Sequence, residues 1–230
     1  MSLESAGNER GSERVAVEAD AAAGWLPALG RSVRSALRSP AAVRLRSWIR
    51  HGPDRLLHRL RRRRARSRLA ARPVSSVLVV CHGNICRSPY AEAALRAALP
   101  PFMRDRIRVL SAGFLGASRP APLEAIEVAS RRGVDLRSHR SRPLNADLVR
   151  GADLIVVMEP GQARRIQAVF GVDPEVLLVL GDLDPLPIET RAVRDPVLQP
   201  VEVFEECYAR IDRCVAELVE AIAVRPFEGR

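Results

Sequence analysis

Short β-branched runs alternate along this chain with stretches whose apolar residues recur at helical spacing. SVLVV (76–80), IRVLSAG (107–113), LIVVME (154–159) and EVLLVL (175–180) are nearly continuous apolar segments. Runs of that length and density predict strands buried on both faces. Helical patterns occupy 89–99, about 123–133, about 160–170 and about 200–223. Strands separated by helices predict an α/β fold: a parallel sheet with helices on both faces. Such sheets take up ligands at the carboxyl ends of their strands. No internal repeat interrupts the pattern.

Upstream of the first strand the pattern changes twice. Residues 1–23 are small, polar and aperiodic, and predict disorder. From 24 to 72, Ala42, Leu45, Trp48 and Ile49 recur at helical spacing among arginines. PDRLLHRLRRRRARSRLAA then reads as a second, strongly basic helix opened by Asp54. Its apolar face, Leu56, Leu57 and Leu60, is too narrow to build a core alone. The expected division is therefore an Arg-rich, partly helical extension over 1–72 and one globular domain over 73–230.

Charge sharpens that division. Residues 1–75 hold 17 Arg against 6 Asp and Glu, or +11, whereas residues 76–230 hold 20 Arg against 21, or −1, which accounts for the net +10. All 37 basic residues are arginine, which excludes chemistry that needs a lysine amine, such as a Schiff base or a Walker-type phosphate loop. The four cysteines do not read as a disulfide scaffold, so reduced thiols are expected. No run of about 18 apolar residues is present to span a bilayer. The polar, acidic start fits neither a secretory signal nor a transit peptide, and a cytoplasmic location is expected.

The chemistry concentrates in CHGNICRSPY, residues 81–90, directly after the first apolar run. A strand ending there, a tight loop, and Ser88-Pro89 as hydroxyl cap and first residue of a helix predict loop amides converging on an anion. Gly83 permits close backbone approach and Asn84 tolerates a left-handed conformation. The helix N-terminus and a nearby cation favour the thiolate of Cys81, making it a nucleophile facing an anion pocket. Arg87 suits bidentate capture of two phosphate oxygens. Ser88 is placed to hydrogen-bond the sulfur. Together these groups suit covalent phosphoryl transfer through a cysteinyl-phosphate, without metal or organic cofactor. Cys207 and Cys214, with six residues between them in a predicted helix, do not match zinc-ligand spacing.

VLVVCHGNICRSPYAEAAL resembles the signature of the low-molecular-weight protein tyrosine phosphatase family. VLSAG, GVDLRSHRSRPL, ADLIVVME and an Asp-Pro pair before the last helix extend the resemblance over about residues 76–223. It implies a four-stranded parallel sheet of order 2-1-3-4 with the phosphate loop after strand 1. It also implies Cys81 as nucleophile, Arg87 as phosphate clamp and Ser88 as thiolate partner. His82, Gly83, Asn84, Ile85, Cys86 and Ser88 would line the substrate phosphate, and Asn84, Ser111 and His139 would hold the loop in shape. Of two Asp-Pro pairs, Asp195-Pro196 sits where the family places its general acid, and Asp184-Pro185 reads as a turn.

The chain departs from the family where aromatic residues commonly follow the Asp-Pro. Val197 and Leu198 stand there instead, leaving them with Phe114 or Leu115 as apolar surface for a substrate ring. Three alternatives stay open at this point. A thiol-dependent arsenate reductase needs relay cysteines, and none occurs between Cys86 and Cys207. A protein arginine phosphatase tends to carry Thr where Ile85 stands. A non-catalytic anion-binding or redox module, with Cys86 as disulfide partner of Cys81, would keep the loop without turnover. The expected partners are a phosphorylated protein or small phosphomonoester at the loop. Through residues 31–72 an anionic membrane surface or acidic protein is expected, with nucleic acid the less favoured.

Overall fold

The computed structural model describes residues 40–223, with side chains from residue 52 onward. The disorder expected for 1–23, and Trp25 and the side chain of Trp48, lie outside the described residues. Two compact units divide between Gly52 and Pro53. The second holds the sheet.

Helix α1 spans Pro40–Ala71 and precedes β1 (Ser76–Cys81), α2 (Arg87–Ala98) and a single turn α3 (Pro101–Arg104). There follow β2 (Arg108–Gly113), α4 (Leu123–Arg131), α5 (Ala146–Arg150), β3 (Leu154–Val157), α6 (Pro160–Phe170), β4 (Leu177–Val179) and α7 (Val201–Ala223). The strands form one parallel sheet of order β2-β1-β3-β4. Period-two alternation along β1 sorts its side chains. Val77, Val79 and Cys81 join a core with α2, α4 and α7, while Leu78 and Val80 join a second core with α5 and α6. Both faces are thus covered, as the unbroken apolar runs require.

Central β1 ends level with its neighbours, Cys81 pairing with Gly113 and Val80 with Val157. Cys81 therefore emerges at the carboxyl edge, where the strand can no longer continue because β2 also ends.

α1 departs from the sequence expectation in three ways. It is one helix with Pro53 inside it, and not a second helix opened by Asp54. The face that packs is His58, Ala65 and Leu69, all buried, whereas Leu56, Leu57 and Leu60 are exposed at 81%, 43% and 45%. Spacing alone favoured the leucines because they are apolar, yet the smaller Ala65 fits against the domain core with Leu69. Residues 53–71 accordingly fall in the same compact unit as the sheet, a unit that begins at Pro53.

Arginines fasten this part of α1. Arg68 donates to the carbonyls of Glu175 and Leu177 at the outer strand β4, covering an edge that would otherwise offer free pairing groups. Arg62 and Arg66 pair with Glu217 of α7. Near its start, Asp54 accepts from the Arg191 amide (3.2 Å) and His58 Nε2 contacts the Asp184 carbonyl oxygen (2.8 Å). Among the described residues no helix is long and apolar enough to cross a membrane.

Candidate active site

The loop between β1 and α2 wraps around the Cys81 sulfur. Sγ accepts from the Ser88 hydroxyl at 3.0 Å and from the Asn84 amide at 3.2 Å. Asn84, completely buried and left-handed (φ 50°), is the hub of the loop. Its Nδ2 donates to Ser88 Oγ and to Ser111 Oγ, both at 2.9 Å. Its Oδ1 accepts from the Arg142 amide (2.8 Å), and its carbonyl oxygen meets His139 Nε2 at 2.7 Å. The loop thus leans on the end of β2 and on the 139–142 segment. Gly113 makes this approach possible, because a Cβ there would lie 2.7 Å from the Asn84 nitrogen.

α2 starts at Arg87, with Cys86 in the cap position and no side-chain cap. The expected Ser88 cap with Pro89 at the first position is corrected by two residues. The physical reason is competition for one hydroxyl, which Ser88 gives to Cys81 while accepting from Asn84. The amides of Gly83, Ile85, Cys86, Arg87 and Ser88 take no acceptor among the described residues. Successive unpaired N–H groups at a helix N-terminus form a cradle for an anion.

Arg87 is 3% exposed. Its Nη1 donates to the Val193 carbonyl oxygen at 3.1 Å and its Nη2 to Asp195 Oδ2 at 2.5 Å, while Nε is buried without a partner. The predicted clamp and the predicted acid are therefore brought together, and the Nε donor is left unpartnered. Asp195 is partly exposed, and its Oδ1 accepts from the Val197 amide. Asp184 is apart from this cluster: buried, paired with Arg210 and Arg213, and a structural anchor.

Gly83, Ile85 and Cys86 are buried in the loop, whereas the His82 side chain is exposed and its carbonyl oxygen accepts from the Phe114 and Leu115 amides. Burial, with the Cys81 sulfur beside it, pushes the Cys86 thiol far up. Burial likewise pushes Cys207 up to about 12. Val193, Arg142 and Gly113 were not singled out from the sequence, since two act through backbone atoms and Gly113 through an absent side chain.

The family profile described as low molecular weight phosphotyrosine protein phosphatase matches residues 76–225. The chain belongs to this family. Among relatives of this phosphatase domain, a probable low-molecular-weight protein-tyrosine-phosphatase EpsP of Ralstonia solanacearum is 39% identical over 150 residues, covering 65% of this chain and 97% of the relative. The low-molecular-weight protein-tyrosine-phosphatase Etp of Escherichia coli K12 is 35% identical over 153 residues, covering 65% and 95%. The crystal structure of the Erwinia amylovora tyrosine phosphatase AmsI superposes with a TM-score of 0.58 at 30% identity, covering 65% of this chain and 94% of that one. Residues 1–75, α1 included, fall outside the family match.

Proposed function

We propose that this phosphatase hydrolyses phosphotyrosine in proteins through a cysteinyl-phosphate. One observation carries the reading: a buried cysteine sulfur receiving two hydrogen bonds, beside an arginine already paired with an aspartate.

In the first step the Cys81 thiolate attacks phosphorus and the bond to the tyrosyl oxygen breaks. Asp195 gives its proton to that oxygen. Loop amides and Arg87 hold the non-bridging oxygens, with the unpartnered Nε as the donor that needs no rearrangement. In the second step Asp195 takes a proton from water, the water oxygen bonds to phosphorus, and the S–P bond breaks. The departing thiolate is received by the Ser88 hydroxyl and the Asn84 amide. Asn84, Ser111 and His139 serve as positioning residues. No step calls for a metal or cofactor.

The ring of the substrate meets Val197 and Leu198. Leu198 is 96% exposed and left-handed (φ 61°), a strained placement for leucine that presents its side chain at the loop tip. The buried Ile85 favours tyrosine over phosphoarginine as the substrate residue. The protein works in the cytoplasm on a phosphorylated protein, and residues 31–72 give it access to an anionic membrane surface or acidic partner.

Hydrolysis of p-nitrophenyl phosphate by wild type, Cys81→Ser and Asp195→Ala tests the scheme. Cys81→Ser should be inactive, and Asp195→Ala slowed by about 10²- to 10⁴-fold. Turnover that survives loss of the sulfur overturns it. Comparison of phosphotyrosine with phosphoarginine peptides settles the substrate class, tyrosine being hydrolysed faster.

A further inference from the structure

The outward side of α1 is left without a partner in the globular unit. Residues His58, Ala65 and Leu69 turn inward, so Leu56, Leu60 and Arg63, half a turn away, face out. Leu56, 81% exposed, and Leu186, 49% exposed, line a groove of about 1200 Å³, and Leu60, one turn on from Leu56, is 45% exposed. No carboxylate among the described residues pairs with the exposed Arg59, Arg63 or Arg64. By contrast Arg61, Arg62, Arg66 and Arg68, nearer the packed face, all have acidic partners. Cations nearer the packed face are thus neutralised, as is the exposed Arg55 by Glu189, while Arg59, Arg63 and Arg64 are left bare among the leucines.

That pairing of chemistry identifies the occupant. Free guanidinium groups alone would suit any polyanion, but a nucleic acid offers nothing to exposed leucines. The headgroup layer of an anionic bilayer offers both phosphates and acyl chains. The sequence preceding Pro53 in the same helix continues the composition, with Arg44, Arg46, Trp48, Ile49 and Arg50 and no acidic residue from Pro40 to Gly52.

We infer that the exposed face of α1, with Leu186 beside it, is a docking surface for anionic phospholipid membranes. The surface holds the enzyme against the bilayer peripherally, by arginine–headgroup contacts and by shallow insertion of Leu56 and Leu60. It deepens the access proposed for residues 31–72 by naming the side chains and the occupant, and it does not depend on the chemistry at Cys81.

The test is sedimentation of the full chain with vesicles of phosphatidylcholine alone or mixed with phosphatidylglycerol, at low and high salt. Wild type should sediment with the mixed vesicles only, and release at high salt. Arg59→Glu/Arg63→Glu/Arg64→Glu should lose affinity on the order of 100-fold. Leu56→Ser/Leu60→Ser, which keeps every charge, should lose about tenfold or more. Both variants alter exposed positions and should retain wild-type melting temperature and p-nitrophenyl phosphate turnover, so lost binding is separable from lost folding. The inference is overturned if wild type stays in the supernatant, or if the triple variant sediments as wild type does. It is equally overturned if the leucine pair is silent while a short DNA duplex displaces the protein, an outcome that assigns the arginines to a soluble polyanion.

Discussion

Asn84 carries more of the site than any other side chain, because its left-handed backbone and its amide work together. The φ of 50° turns its N–H to the sulfur, and the side chain then reaches Ser88, Ser111 and the Arg142 amide. Asn84→Ala removes three hydrogen bonds, two of them buried, each worth about 1 kcal/mol, and places alanine where the left-handed backbone costs about 1–2 kcal/mol. Thermal or urea unfolding should show a loss of about 4–5 kcal/mol in total, with turnover falling more than KM rises. Leu198 provides the opposite case. Leu198→Gly should leave stability unchanged or raise it by about 1 kcal/mol, and Leu198→Tyr should improve kcat/KM for phosphotyrosine by roughly 2- to 10-fold through ring stacking. With the thiols of Cys86 and Cys207 pushed upward by burial, both stay protonated and unreactive at pH 7 to 9. Iodoacetamide inactivation in that range should therefore follow one modification at Cys81, and mass spectrometry that finds Cys86 labelled first would contradict this. CHGNICRSP disclosed most of these participants. What it hid was the division of labour for Ser88, since a serine before proline reads equally as a helix cap or as a partner for sulfur.

Elements were legible where burial is continuous and obscure where it is partial. Three strands fell within the predicted runs and β1 ran one residue past its own, to Cys81, and α6 matched over 160–170, because an apolar run or a clean 3.6-residue stripe has one solution. α1 misled because arginines can carry a packing face when their head groups find carboxylates and strand-edge carbonyls, a pattern hydropathy scores as solvent. Leu69, buried in the main core, tests this assignment. Leu69→Ala should destabilise the domain by about 2–4 kcal/mol, whereas Leu56→Ala should stay within about 0.5 kcal/mol of wild type. A chain truncated to begin at Arg72 should melt below one beginning at Pro53 and self-associate, since the β4 edge would be open. Equal melting temperatures would mean that α1 adds nothing to the fold.

At the scale of the whole molecule the charge is uneven, residues 1–75 carrying +11 and residues 76–230 carrying −1, and α1 lies on the basic side. The segment from Asp184 to Asp195 connects that helix with the chemistry. At one end Asp184 is gripped by Arg210, Arg213 and His58, and at the other Asp195 is held only by Arg87 and its neighbouring amide. Between them, Arg210 also donates to the carbonyls of Thr190 and Ala192. The segment is thus anchored by several charged groups at Asp184 and, among the described residues, by Arg87 and the Val197 amide at Asp195. In the proposed mechanism, a phosphate arriving at Arg87 competes with the Asp195 carboxylate for the same guanidinium, while the pairs at Asp184 are untouched.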